Sequence, residues 1–201
     1  MSKKIYIAVD VQNDFVSGSL GSQWAQDVTR KICVFLDHVS ASDKDSYIWA
    51  TRDTHCDEYT LTPWTGIDQK KHEECIYENT LEGKKLPVRH CIYNTEGWEV
   101  VDAIRKYITG YINKPTFMSE NLKKETASII NEVDEIVLFG FCTSICVISN
   151  ALYLRGLYPN MKITVLDDLC ACLNEDTHKA ALTVMGCCQI DIENSEEFLK
   201  R

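Results

Sequence analysis

Hydrophobic positions along this chain alternate between two periods. Ile5–Val11 is an apolar run of strand length interrupted only by Asp10. Trp24, Val28, Ile32, Phe35, Leu36 and Val39 then recur every three or four residues, as they do along one face of a helix. Tyr47–Ala50 reads as a second strand. Trp98, Val101, Ile104 and Ile108 form another helical stripe, followed by a strand at Tyr111–Phe117 and a helix at Asn121–Asn131. Ile136–Phe141 has the continuous apolar character of a strand buried on both faces. A helix from Thr143, with Val147, Ala151 and Leu154 on one side, should stop near Gly156. A strand at Met161–Leu166, a helix at Asp176–Met185 and a strand at Cys188–Ile192 complete the alternation. Strands alternating with helices predict parallel pairing through right-handed crossovers: an α/β fold, with an open parallel sheet and helices on both faces.

Thr51 to Thr95 breaks this rhythm. It keeps no sustained period, and so long an irregular stretch inside a compact domain usually carries function. The 201 residues otherwise read as a single domain spanning 1–201, with this loop region at about 52–95. A net charge of −9 argues against a nucleic-acid partner, since phosphate binding needs a basic surface. No segment approaches the apolar length of a membrane span. Met1-Ser2-Lys3-Lys4 runs straight into the first strand without a signal-like apolar region, so a cytoplasmic enzyme acting on a small molecule is expected, with a homo-oligomer left open. Ten cysteines without a secretion signal should be mostly free thiols. Cys142 and Cys146, Cys170 and Cys172, and Cys187 and Cys188 all miss the paired C-x-x-C spacing of a structural zinc site. Packing is the expected role of every cysteine except Cys142 and Cys146.

Open parallel sheets bind ligands at the carboxyl ends of their strands, which makes the polar residues there the candidates for chemistry. The first strand meets Asp10, the second runs into Asp53 and His55, and Lys114 interrupts the Tyr111–Phe117 run. Cys142 and Cys146 follow Phe141 directly. A thiol in the first turn after a strand lies where free N–H groups and the helix dipole favour an anion, so Cys146 is expected as an activated nucleophile with a lowered pKa. A carboxylate, a lysine and a thiol thus meet on one sheet edge, where a thiol needs a base and a balancing cation. Asp53 and His55, two residues apart at a strand end, face the same side and offer mixed N/O ligands suited to zinc, iron or manganese. His38, His72 and His178 lack such neighbours and read as ordinary surface or core residues.

These segments resemble the isochorismatase-like cysteine hydrolases: VDVQNDF around Asp10, Lys114 after the third strand, and GFCTSICV around Cys146. The resemblance implies a six-stranded parallel sheet and a catalytic Asp10–Lys114–Cys146 triad. It also implies a cis peptide at Phe141–Cys142, with the N–H groups of Cys142 and Cys146 forming an oxyanion hole. Asp53, His55 and His90, the last in an H-C-x-x-x-T-x-G pattern, resemble the metal ligands of the nicotinamidase branch, with Glu82 as the matching fourth. That implies one divalent transition metal, zinc foremost, and hydrolysis of nicotinamide to nicotinate and ammonia. Phe15, Phe117 and Phe141 are expected to contact the substrate ring. The chain departs from the pattern at Ser144, where an acidic residue is common, and at Pro87 and Val88, where an aromatic is common. Asp57, Glu58 and Tyr59 stand where a further histidine is often found, and the loop between Asp53 and Glu82 is long. Hydrolysis of another small amide, an N-carbamoyl compound or a vinyl ether is the alternative within hydrolases. A non-catalytic thiol sensor is the alternative outside them.

Overall fold

The computed structural model describes residues 3–55 and 88–201. Six strands form one all-parallel sheet: β1 (Lys4–Val9), β2 (Tyr47–Asp53), β3 (Gly110–Lys114), β4 (Glu135–Phe141), β5 (Lys162–Ala171) and β6 (Asp191–Glu193), in the order β3-β2-β1-β4-β5-β6. The chain first builds outward from β1 to β3, then returns and builds the other way from β4 to β6. The topological switch therefore lies between β1 and β4, where a doubly wound sheet opens a crevice.

The core follows the predicted pattern. Helix α1 (Asn13–Val16) precedes α2 (Gln23–Ser42), which buries Ala25, Val28, Ile32, Phe35, Leu36 and Val39 and starts where the Ser22 hydroxyl accepts from the Ala25 N–H at 3.0 Å. Phe35 meets Tyr6 and Phe139 edge-on, at ring centroid separations of 5.9 and 5.6 Å. Tyr6 and Phe139 lie on adjacent strands, so this helix is fixed against the sheet centre. Each such buried side chain contributes about 1.5–3 kcal/mol.

Several boundaries differ from the sequence pattern. The 98–108 stripe yields only one helical turn, α3 (Asp102–Arg105), because Val100 and Val101 bury without helical backbone. The 121–131 helix divides into α4 (Glu120–Ala127) and a 3₁₀ turn at Ile130–Glu132. The 143 helix begins with a wide π-type turn, Thr143–Val147, and continues as α5 (Ile148–Leu157), running through Gly156. Strand β5 extends five residues past Leu166 to Ala171 across a register shift. Helix α6 (Glu175–Cys187) runs two residues past Met185, and a turn at Cys188–Gln189 delays the last strand to Asp191, leaving Cys187 and Cys188 exposed and not packed in the core. A final short helix, α7 (Ser195–Phe198), seats Phe198 against Tyr6 and Phe35. Among the described residues, no helix is long and apolar enough to cross a membrane.

Gly140 is the glycine that the sheet requires. Its φ is 123°, and a Cβ there would lie 2.1 Å from the Val9 carbonyl oxygen. Gly140→Ala should destabilise the protein by roughly 3–5 kcal/mol in denaturant unfolding, because the obstacle is backbone and cannot rotate away. A loss below about 1 kcal/mol would contradict this close packing of β4 on β1.

Candidate active site

Strands β1 to β4 each lead, at or just past their carboxyl ends, to a residue that faces one crevice. At the end of β1, Asp10 is fully buried and adopts φ 50°, a left-handed conformation that aspartate tolerates better than most residues. Thr51 on the neighbouring strand holds it: the Asp10 N–H donates to the Thr51 carbonyl at 3.2 Å, and the Thr51 hydroxyl donates to Asp10 Oδ1 at 2.7 Å. Asp53 and Lys114 are the last residues of β2 and β3 and pair with each other in the parallel ladder. Cys146 lies in the π-type turn after β4, which Ile145 and Val147 close by donating to the Cys142 carbonyl, both at 3.1 Å. Neither bond uses the N–H of Cys142 or Cys146. The Phe141–Cys142 peptide is cis.

Lys114 is the hub. Its ammonium, with no exposed surface, lies 2.7 Å from Asp10 Oδ2, 3.4 Å from Asp53 Oδ1, 3.2 Å from the Thr116 carbonyl and 3.5 Å from Cys146 Sγ. Desolvation opposes the charge, but Asp10 and Asp53 outweigh it and hold the lysine well above its usual pKa. The two carboxylates differ. Burial pushes Asp10 up despite Lys114, whereas Lys114, His55 and His90 overcome the burial of Asp53 and hold it well below the usual range.

The expectation of a lowered Cys146 pKa does not survive. Burial pushes this thiol well above its ordinary value; Lys114 opposes the rise, while the charge of the nearby Asp10 carboxylate adds to it. Only 5 % of the residue is exposed, so desolvation dominates. At rest Cys146 is a protonated thiol near a carboxylate.

Behind Lys114, Asp53, His55 and His90 are all buried, with one ligand atom of each within 4.8 Å of the others. Asp53 Oδ2 lies 2.9 Å from His55 Nε2 and 3.3 Å from His90 Nε2. His90 Nδ1 donates to the Val88 carbonyl at 2.6 Å, which leaves Nε2 with the lone pair a metal needs. A carboxylate and two imidazoles suit zinc, iron or manganese. Glu82 lies outside the described residues, as do His72, Asp57, Glu58 and Tyr59. Asp53 and His90 face the same cavity as Cys146, a space of about 420 Å³ also lined by Phe15, Phe117 and Phe141. Phe15 meets the His90 ring edge-on at 5.6 Å.

Supporting residues escaped the sequence pattern. Gln12 donates to the Asp53 and Trp98 carbonyls, both at 2.8 Å, and accepts from the Asp53 N–H at 2.7 Å. Asn150 donates to the Cys146 and Phe117 carbonyls at 2.7 and 3.0 Å, tying the Cys146 turn to the loop after β3. Asn150 is a buried amide on a mostly apolar helix, a mismatch that was the available signal; Gln12, in the polar turn between Asp10 and Asp14, offered none. His178, read as ordinary, is half-buried and hydrogen-bonded to the Thr143 hydroxyl at 2.9 Å. Cys172, assigned to packing, instead lines the cavity.

The Isochorismatase domain family model matches residues 4–196. This chain belongs to the isochorismatase family. That places it among hydrolases. A search of curated proteins returns no match. Among solved structures, an isochorismatase-like hydrolase from Alkaliphilus metalliredigens is 16% identical, with TM-score 0.76 over 99% of this chain and 98% of that one. The pyrazinamidase of Pyrococcus horikoshii, solved in complex with zinc, is 23% identical, with TM-score 0.72 over 96% and 99%. N-carbamoylsarcosine amidase from Thermoplasma acidophilum is 22% identical, with TM-score 0.69 over 96% of each chain. These likenesses establish that the six-stranded isochorismatase fold is shared.

The electrostatics of this isochorismatase-family site give a signed prediction. Because the Asp10 carboxylate raises the Cys146 thiol, Asp10→Asn should move the inflection of Cys146 alkylation by iodoacetamide to lower pH, read by mass on that cysteine. An inflection that stays put or rises in the variant would contradict the arrangement.

Proposed function

We propose that this protein is a metal-assisted cysteine amidohydrolase that converts nicotinamide to nicotinate and ammonia. The observation that carries this reading is one apolar cavity faced both by Cys146 and by two members of the buried Asp53–His55–His90 cluster. A flat aromatic amide suits such a space: the phenylalanines offer ring contacts, the thiol meets the carboxamide, and the cluster sits where a ring nitrogen would end.

Asp10 takes the thiol proton as Cys146 Sγ attacks the amide carbon, so a C–S bond forms while the carbonyl π pair moves to oxygen. The N–H groups of Cys142 and Cys146 receive that oxyanion. Asp10 then delivers its proton to the amide nitrogen, the C–N bond breaks and ammonia leaves. Water, losing a proton to Asp10, attacks the resulting thioester; the C–S bond breaks, nicotinate departs and the sulfur regains its proton. Throughout, Lys114 stays protonated and offsets the charge on Asp10 and Asp53. Asp53, His55 and His90 would hold one divalent transition ion, which when bound supplies an attachment point for the pyridine nitrogen.

A second reading, hydrolysis of an N-carbamoyl compound, is favoured only by the likeness to the N-carbamoylsarcosine amidase. It leaves the metal cluster without a role.

Ammonia release should be rapid with nicotinamide and pyrazinamide and poor with benzamide, which has no ring nitrogen. Cys146→Ala should lower kcat by on the order of 10⁴-fold or more with the fold retained. His55→Ala should lower metal content below one ion per chain and raise KM for nicotinamide more than it lowers kcat. Native protein without stoichiometric metal, together with unchanged nicotinamide kinetics in His55→Ala, would overturn the nicotinamide assignment.

A further inference from the structure

Cys142 and Cys172 stand outside the proposed proton path as side chains, yet both line the cavity. Phe141 pairs with Ala171 in the parallel ladder as the last residue of its strand, so these cysteines are the first residues beyond two neighbouring strands. Neighbouring strands lie about 4.8 Å apart, inside the Cα separation that a disulfide spans. The two sulfurs are 2.8 Å apart. Around Cys172 Sγ, the Ser144 and Thr177 hydroxyls lie at 2.9 and 3.4 Å.

We propose that Cys142 and Cys172 are a reversible redox pair in the wall of the active-site cavity, oxidised to a disulfide by a peroxide and reopened by a small thiol, which takes oxidising equivalents ahead of Cys146. The proposal does not depend on the nicotinamide reading.

The division of labour follows from the surroundings. The Cys142 thiol at 2.8 Å and the Ser144 and Thr177 hydroxyls pull Cys172 below the ordinary thiol value, to about 4, which favours its thiolate over that of Cys142. Its hydrogen bond to Cys172 and its burial keep Cys142 protonated. The Cys172 thiolate attacks hydrogen peroxide, an S–O bond forms as the O–O bond breaks, and the expelled hydroxide takes a proton to become water. Cys142 sulfur then attacks the sulfenic acid: an S–S bond forms, the S–O bond breaks, and the hydroxyl leaves with the Cys142 proton as a second water. Two thiols are thus oxidised and one peroxide reduced. Cys146, buried and protonated, offers peroxide a poorer nucleophile in the same cavity.

The test treats the full-length native protein with about one equivalent of hydrogen peroxide, blocks remaining thiols with iodoacetamide under denaturing conditions, and maps the cysteines by mass spectrometry. Cys142 and Cys146 share one tryptic peptide and Cys170 and Cys172 another, so fragment ions across Thr143–Ile145 and on either side of Ala171 assign the linkage. The expected result is loss of two thiols per chain, a Cys142–Cys172 crosslink that dithiothreitol removes, and Cys146 recovered as its alkylated form. In Cys172→Ser and in Cys142→Ser the crosslink should vanish, and over-oxidation of Cys146 should proceed several-fold faster. Linkage of any other pair, oxidation of Cys146 in step with or ahead of the pair, or survival of both thiols in a large excess of peroxide would overturn the proposal.

Discussion

The site depends on one buried ammonium. Lys114 has no exposed surface, and a charge so placed is tolerated only when its partners are held at close range. Three elements supply those partners: Asp10 from the end of β1, Asp53 from the end of β2, and the Cys146 sulfur from the turn after β4. Loss of the lysine would leave two buried carboxylates uncompensated, a situation that costs several kcal/mol. The same contact therefore closes the crevice structurally and sets its electrostatics. It also divides labour between the carboxylates. Asp53, facing two imidazoles, stays ionised, while Asp10, raised by burial, is the carboxylate better suited to exchange a proton.

The sheet order makes this convergence possible. β1 is central, flanked by β2 and β4, so residues from its end and from both neighbours meet at the switch point. Lys114 reaches in from β3 across Asp53, its ladder partner. The restraints around the site are mostly backbone ones: Thr51 holds Asp10, Gln12 clamps the Asp53 peptide from both sides, and Asn150 anchors the Cys146 turn. Such support keeps reacting groups in register without adding charge.

Much of this was legible in the sequence because strand ends in a parallel sheet are where polar residues become conspicuous. Asp10 and Lys114 each interrupt an apolar run, and Asp53 and Cys146 follow one within a few residues; the structure brings all four together. The thiol pKa was misjudged for a physical reason. Sequence shows the helix start near Cys146 but not the depth of burial or the carboxylate beside it, and desolvation outweighs the dipole here. Helix lengths were misjudged where apolar spacing was satisfied by irregular backbone, as at Val100 and Val101. Cys172 could not be foreseen as a cavity residue, because β5 gains its last residues only through a register shift at Leu138–Gly140. Glu82 falls outside the described residues, so the sequence resemblance alone speaks for it.

The central claim is covalent: the sulfur of Cys146 carries the acyl group. Rapid mixing with excess nicotinamide, acid quench on the millisecond scale and mass analysis of the Cys146 peptide test it directly, with hydroxylamine in a parallel reaction to intercept a thioester. The account predicts a nicotinoyl adduct on Cys146 at early times, absent from Cys146→Ala, and a hydroxamate product from the parallel reaction. Normal turnover of nicotinamide with neither adduct nor hydroxamate would contradict it.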